Sequence, residues 1–74
     1  MRGVVDRKGE QFAYVLGKGV YTLEGELTGH VEGEFILDLE GNQMWRLVGD
    51  GIYSLDGAET IGYLSSERPS DYDL

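Results

Sequence analysis

Four chemistry-bearing side chains recur at nearly one spacing along the chain: Tyr14, His30, Arg46 and Tyr63. Two phenol rings, an imidazole and a planar cation suit a flat, anionic or hydrogen-bonding ligand, through stacking and charge-assisted donation. Phe12, Thr28 and Met44 precede three of them by two residues and are expected on the same strand face, as the floor of such a pocket. The plainer reading is a column that faces water, where Tyr, His and Arg are ordinary. The sequence leaves both open.

No other constellation supports a reaction. Asp6 and Asp38, or Glu24, Glu40 and Asp56, are numerous enough to form an acid–base pair. Each, however, stands at a place that a tight turn explains fully. Calcium needs six or more converging oxygens, and no Asp-x-Asp-x-Asp-Gly loop occurs. His30 is the single histidine and cysteine is absent, so Glu32 and Glu34 complete no zinc set. Ser54, Ser65, Ser66 and Ser70 lack the Gly-x-Ser-x-Gly elbow of a nucleophilic serine. The glycines form no phosphate-cradling loop ahead of a helix. We therefore assign no catalytic residue, no metal ligand and no cofactor, and expect a protein that is not an enzyme.

Charge narrows the partners. Fourteen acidic against six basic residues give a net charge of −8. Nucleic acid and anionic lipid both select for Lys and Arg, so neither is expected as a partner. The same charge slows the approach of an anion, which Arg46 and His30 offset only locally. Apolar runs are a few residues long, against the ~20 of a membrane-spanning helix. Met1-Arg2-Gly3 leads into no apolar leader core, so a cytoplasmic location is expected. The 74 residues allow one domain without a disulfide. A chain of this size buries only about 60% of its unfolded surface, and oligomerisation is the usual remedy.

The elements that position these residues follow from a repeat. Gly9, Gly25, Gly41 and Gly57 are spaced 16 residues apart, and the period divides the chain into units 4–19, 20–35, 36–51 and 52–67. Each unit opens on a β-branched residue (Val4, Val20, Ile36, Ile52), and its third place is Asp6, Thr22, Asp38 or Ser54. An Asp or hydroxyl residue followed three places later by glycine marks a type I turn. Further glycine-bearing links at 17–19, 32–34 and 49–51 join one unit to the next. No stretch keeps a helical apolar period. The fold class is all-β, without helix: four tandem 16-residue β-hairpins arranged with pseudo-fourfold symmetry in one domain, 1–67.

Alternation then separates inside from outside. Allowing one extra residue after the fourth turn, most simply a β-bulge at Thr60 or Ile61, aligns Gly62 with Gly29. Val15, Val31, Leu47 and Leu64 form an aliphatic column, beside Ala13, Gly29, Trp45 and Gly62. We place both in the core, with the single Trp45 filling space that its small counterparts leave. Leu23, Leu39 and Leu55 occupy the second turn position in three units, where polar residues are normal, so the tips are expected to be covered. They are covered at the centre of the fold, by a second copy, or by both.

The pattern of Ile/Val-Tyr-x-Leu-acidic-Gly, an alternating strand with Gly29 or Gly62, and a glycine turn resembles the four-fold β-flower proteins. These are small bacterial and phage-type chains of four tandem hairpins around a pseudo-fourfold axis. The resemblance covers about 4–67, implies the fold, and carries no activity or catalytic set. Arg7, Trp45 and Arg46 depart from the pattern. GKGVYT and VEGEF also resemble pieces of the MORN repeat, whose period of about 23 residues differs from the 16 kept here.

Residues 68–74 read as an acidic, flexible tail in which Tyr72 and Leu74 could anchor a short linear motif. The expected function is a non-catalytic β-repeat interaction module, homo-oligomeric through Leu23, Leu39 and Leu55. The alternative is a binding or sequestering protein for a small nucleotide-like or anionic ligand, acting through Tyr14, His30, Arg46 and Tyr63.

Overall fold

The computed structural model describes residues 1–66, and the expectation for the tail lies outside them. Eight strands follow in order: β1 Arg2–Asp6, β2 Gln11–Leu16, β3 Gly19–Thr22, β4 Leu27–Glu32, β5 Phe35–Asp38, β6 Gln43–Val48, β7 Gly51–Tyr53 and β8 Thr60–Leu64. Each pairs antiparallel with its neighbours in sequence, and β8 pairs with β1, so the sheet closes as a barrel. The protein is all-β, with no helix among the described residues, and its four hairpins stand around one axis. Closure removes the two unpaired edges that an open eight-stranded sheet would present.

Two alternating turn types make this course possible. At the tips, the amide of Gly9, Gly25, Gly41 and Gly57 donates to the carbonyl of Asp6, Thr22, Asp38 and Ser54 at 2.9–3.0 Å, the closing bond of a type I turn. These four glycines have φ of 78–92°, which a β-branched side chain adopts only with strain. Between units, Leu16 pairs with Gly19, Glu32 with Phe35 and Val48 with Gly51, leaving two-residue links. Their first residues, Gly17, Gly33 and Gly49, have φ near 60°, and among the described residues no non-glycine residue has positive φ. That combination is the type II′ turn, whose twist matches the strands it joins.

The odd strands supply the centre of the core. Val4, Val20, Ile36 and Ile52, one from each unit, are between 0% and 4% exposed. Ala13, Val15 and Leu64 are buried beside them, and Val31, Trp45 and Leu47 pack against the cluster. Both aligned columns of the even strands therefore face inward, as alternation required.

The register corrects one detail. A shift between neighbouring pairs occurs in every hairpin, at Val4/Val5, Val20/Tyr21, Ile36/Leu37 and Ile52/Tyr53. The unmatched residues on the opposing strands are Phe12, Thr28, Met44 and Ile61, so the bulge belongs to the repeat and not to the fourth unit alone. The fourth unit's extra residue sits in its turn. Its strands close by Ser54 N–H to the Glu59 carbonyl, five residues on, where the others close four residues on, as Asp6 does with Glu10.

The seam between last and first strands is tied by side chains too. Ser65 N–H donates to the Gly3 carbonyl (2.9 Å), and Gly3 N–H donates to Ser65 Oγ (2.8 Å). Arg2 Nε donates to the Ser65 carbonyl at 2.8 Å while its Nη2 meets Asp50 Oδ1 at 2.5 Å. The barrel is thus fastened at the end opposite the tips.

Candidate functional site

The column Tyr14, His30, Arg46 and Tyr63 lies on β2, β4, β6 and β8, each between inward-facing neighbours. Its members therefore stand at one level on the outer wall, on alternate strands, and face four quarters of it. Each has its own surroundings. Tyr14 stacks on Tyr21 across the β2–β3 pair, with ring centres 5.3 Å apart and planes 13° from parallel. The Arg46 guanidinium lies over the Phe35 ring, 5.9 Å from its centre. Register places His30 opposite Gly19 and Leu37, and Tyr63 opposite Gly51 and Val5; both side chains are exposed. A concavity of about 320 Å³ at Arg46 is shared with Val48, Tyr53 and Gly57, and with none of the other three.

The bulges move the residues expected beneath this column. A bulge sets two consecutive side chains on one side of the strand. Phe12, Thr28 and Met44 thereby join the side of Ala13, Gly29 and Trp45. The Phe12 ring meets Trp45 edge-on, 6.4 Å between centres at 88°, and Met44 packs against the core. They do not floor the Tyr14/His30/Arg46/Tyr63 column. They surround the barrel mouth at the tip end.

The tips form the rim of that mouth. Leu23, Leu39 and Leu55 are 54%, 59% and 41% exposed, so closure of the barrel does not gather them at its centre. The first tip has Arg7 where the others have leucine, followed by Lys8, and it borders a concavity of about 610 Å³ with Ile61. The other three tips carry Glu24, Glu40 and Asp56 directly after the leucine. One quadrant of the rim sets the cations Arg7 and Lys8 beside Asp6 and Glu10, and three are apolar and acidic.

Each tip is held by the side chain that opens it. Asp6 Oδ1 accepts from the amides of Lys8 and Glu10, and Asp38 Oδ1 from those of Glu40 and Asn42, at 2.9–3.0 Å. Thr22 Oγ1 accepts from Glu26 N–H at 3.1 Å. In the longer fourth turn Ser54 Oγ accepts from Glu59 N–H and donates to Asp56 Oδ1. These bonds engage the carboxylates of Asp6, Asp38 and Asp56 in the turns themselves. Among the described residues, no three His, Asp or Glu side chains are placed to hold a metal ion.

Two of these carboxyls titrate below the ordinary aspartate range. The Asn42 amide, helped by the Asn42 side chain and Glu40 N–H, lowers Asp38. The Ser54 hydroxyl and Ala58 N–H lower Asp56. A carboxyl lowered in the folded state stabilises above its unfolded pKa of about 3.9, and the contribution disappears as pH falls through the folded value. Asp38→Ala is accordingly expected to melt below wild type near neutral pH, with the gap narrowing as pH falls below the unfolded carboxyl's value. Melting followed by circular dichroism across this range checks it, and a gap independent of pH would contradict it.

Compared with known proteins, the chain matches no family model, no curated protein and no solved structure.

Proposed function

We propose that the protein is a non-catalytic β-repeat interaction module of the cytoplasm, in keeping with its resemblance to the four-fold β-flower chains, and that its working surface is the tip rim. The observation that carries this reading is the exposure of Leu23, Leu39 and Leu55 on one rim, at turn positions where polar residues are normal. The occupant is a second copy of the chain. A rim-to-rim two-fold contact is self-complementary, because the basic Arg7–Lys8 tip of each copy can lie over an acidic leucine tip of the other.

Sedimentation velocity at about 100 µM is expected to show a homodimer. Leu23/Leu39/Leu55→Ser should be a monomer with an unchanged barrel, and Arg7→Glu with Lys8→Glu should weaken the dimer at least tenfold. A monomeric wild type overturns the reading, as does a triple variant that still dimerises.

A second reading, contact with a small anion at Arg46, is favoured by the concavity there with Tyr53 and Val48. Arg46→Ala should leave the melting temperature nearly unchanged, within about 0.5 kcal/mol in stability, and abolish any thermal stabilisation by nucleotides or small anions. Absence of such stabilisation in wild type removes this reading and leaves the first intact.

A further inference from the structure

An eight-stranded barrel has an interior just wide enough to be filled by side chains or to hold one small ligand. In the layer nearest the tips, this barrel is not filled. Ala13, Gly29 and Gly62 contribute almost no volume, and Trp45 is the one large side chain among them. The bulges add Phe12 and Met44 to the same side, yet a cavity of about 310 Å³ remains. Its walls are the rings of Phe12 and Trp45 and the thioether of Met44, over a floor of Ala13 and Val20. Thr22 and Thr28 complete its lining.

From this arrangement we infer that the barrel mouth is a binding site for a neutral, flat aromatic molecule. The Phe12 and Trp45 rings stand at 88° to each other, so a planar guest can stack on one face while its edge meets the other ring. Met44 offers a polarizable sulfur that adapts to ring edges. The volume lies at the small end of ligand pockets, which run from about 300 to 1,000 Å³, and admits a fused bicyclic ring more readily than a larger ligand. Charge selects further. Around the rim Glu10, Glu24, Glu26, Glu40, Asp56 and Glu59 outnumber Arg7 and Lys8, so the net field at the mouth repels an anion before it enters. The site lies within one chain and needs no second copy; rim pairing would cover the mouth, so the titrations are made at a concentration below dimer formation, where failure of the site and failure of rim pairing are distinguishable.

The chain has one tryptophan, and that tryptophan lines the cavity, so its emission reports the guest directly. Titration with 2-naphthol, a flat bicyclic probe that is neutral at pH 7, is expected to quench Trp45 with saturable one-to-one stoichiometry. The anionic probe naphthalene-2-sulfonate should bind at least tenfold more weakly. Thr28 is exposed, so Thr28→Phe should fold as wild type, plug the mouth and lower affinity for the neutral probe at least tenfold. The monomeric Leu23/Leu39/Leu55→Ser chain should keep full affinity. Should Thr28→Phe melt lower than wild type, the Met44 ε-methyl resonance, assigned with Met44→Leu, decides: it must shift on adding the probe. Absence of saturable binding, an unmoved Met44 methyl, or a folded Thr28→Phe chain with wild-type affinity overturns the site. Equal affinity for the sulfonate overturns the assignment to neutral guests.

Discussion

Gly62→Ala is expected to cost about 3 kcal/mol or more, the largest loss from a single added methyl group in this chain. Gly62 pairs with Ile52 on one side and Asp6 on the other. A Cβ there would fall well under 3.0 Å from the Val5 carbonyl oxygen, a backbone atom of the neighbouring strand. A flexible side chain can swing aside. This carbonyl belongs to the β1–β8 pair that closes the barrel, and moving it opens the seam. Gly29→Ala meets the Leu37 carbonyl in the same way and should behave alike. A 74-residue domain has on the order of 4–11 kcal/mol of total stability, so a loss of about 3 kcal/mol removes roughly a quarter to three-quarters of it. Urea unfolding followed by Trp45 fluorescence measures the loss. Midpoints for both variants within error of wild type would refute the backbone clash.

The second large effect comes from emptying the same interior. Ile36 and Ile52 are 1% and 0% exposed, and each belongs to the ring of β-branched residues that the odd strands send to the centre. Ile52→Ala and Ile36→Ala are each expected to cost about 2–5 kcal/mol, the lost transfer energy plus the unfilled cavity. Leu39→Ala is the contrast. Leu39 is a larger side chain than alanine by as much, yet at 59% exposure its removal should change monomer stability by less than about 0.5 kcal/mol. Chemical denaturation at a concentration below dimer formation gives all three numbers. Equal losses at positions 36, 39 and 52 would show that the tips, too, are packed within one chain.

Much of this design is legible in the residues. The 16-residue period, the Asp, Thr or Ser that opens each tip, and the glycine three places later locate all four type I turns. Those bonds close over a few residues, so local sequence suffices to specify them. Trp45 opposite Ala13, Gly29 and Gly62 is likewise a visible signal of an unevenly filled interior. By sequence, the glycines at 29 and 62 make room for the indole. The structure adds a stricter reason, the neighbouring carbonyl that a methyl would strike.

The mouth is not legible in the residues, because the bulges conceal themselves. A bulge in one unit would break the column alignment and announce its position. Here Phe12, Thr28, Met44 and Ile61 repeat it in every unit, so the period survives and the alternation appears uninterrupted. The one apparent irregularity, in unit four, arises instead from a longer turn between Ser54 and Glu59.

Sequence alone therefore determined the hairpins, their turns and the inward columns, because turn chemistry and a two-residue alternation act over short stretches of chain. The return of β8 to β1, and with it the direction in which the outer residues face, is a property of the closed barrel as a whole. Closure is set by the summed twist and stagger of eight strands, and no single unit contains it. It sends Tyr14, His30, Arg46 and Tyr63 to four quarters of the wall, while the register shifts turn Phe12 and Met44 toward Trp45 in the mouth.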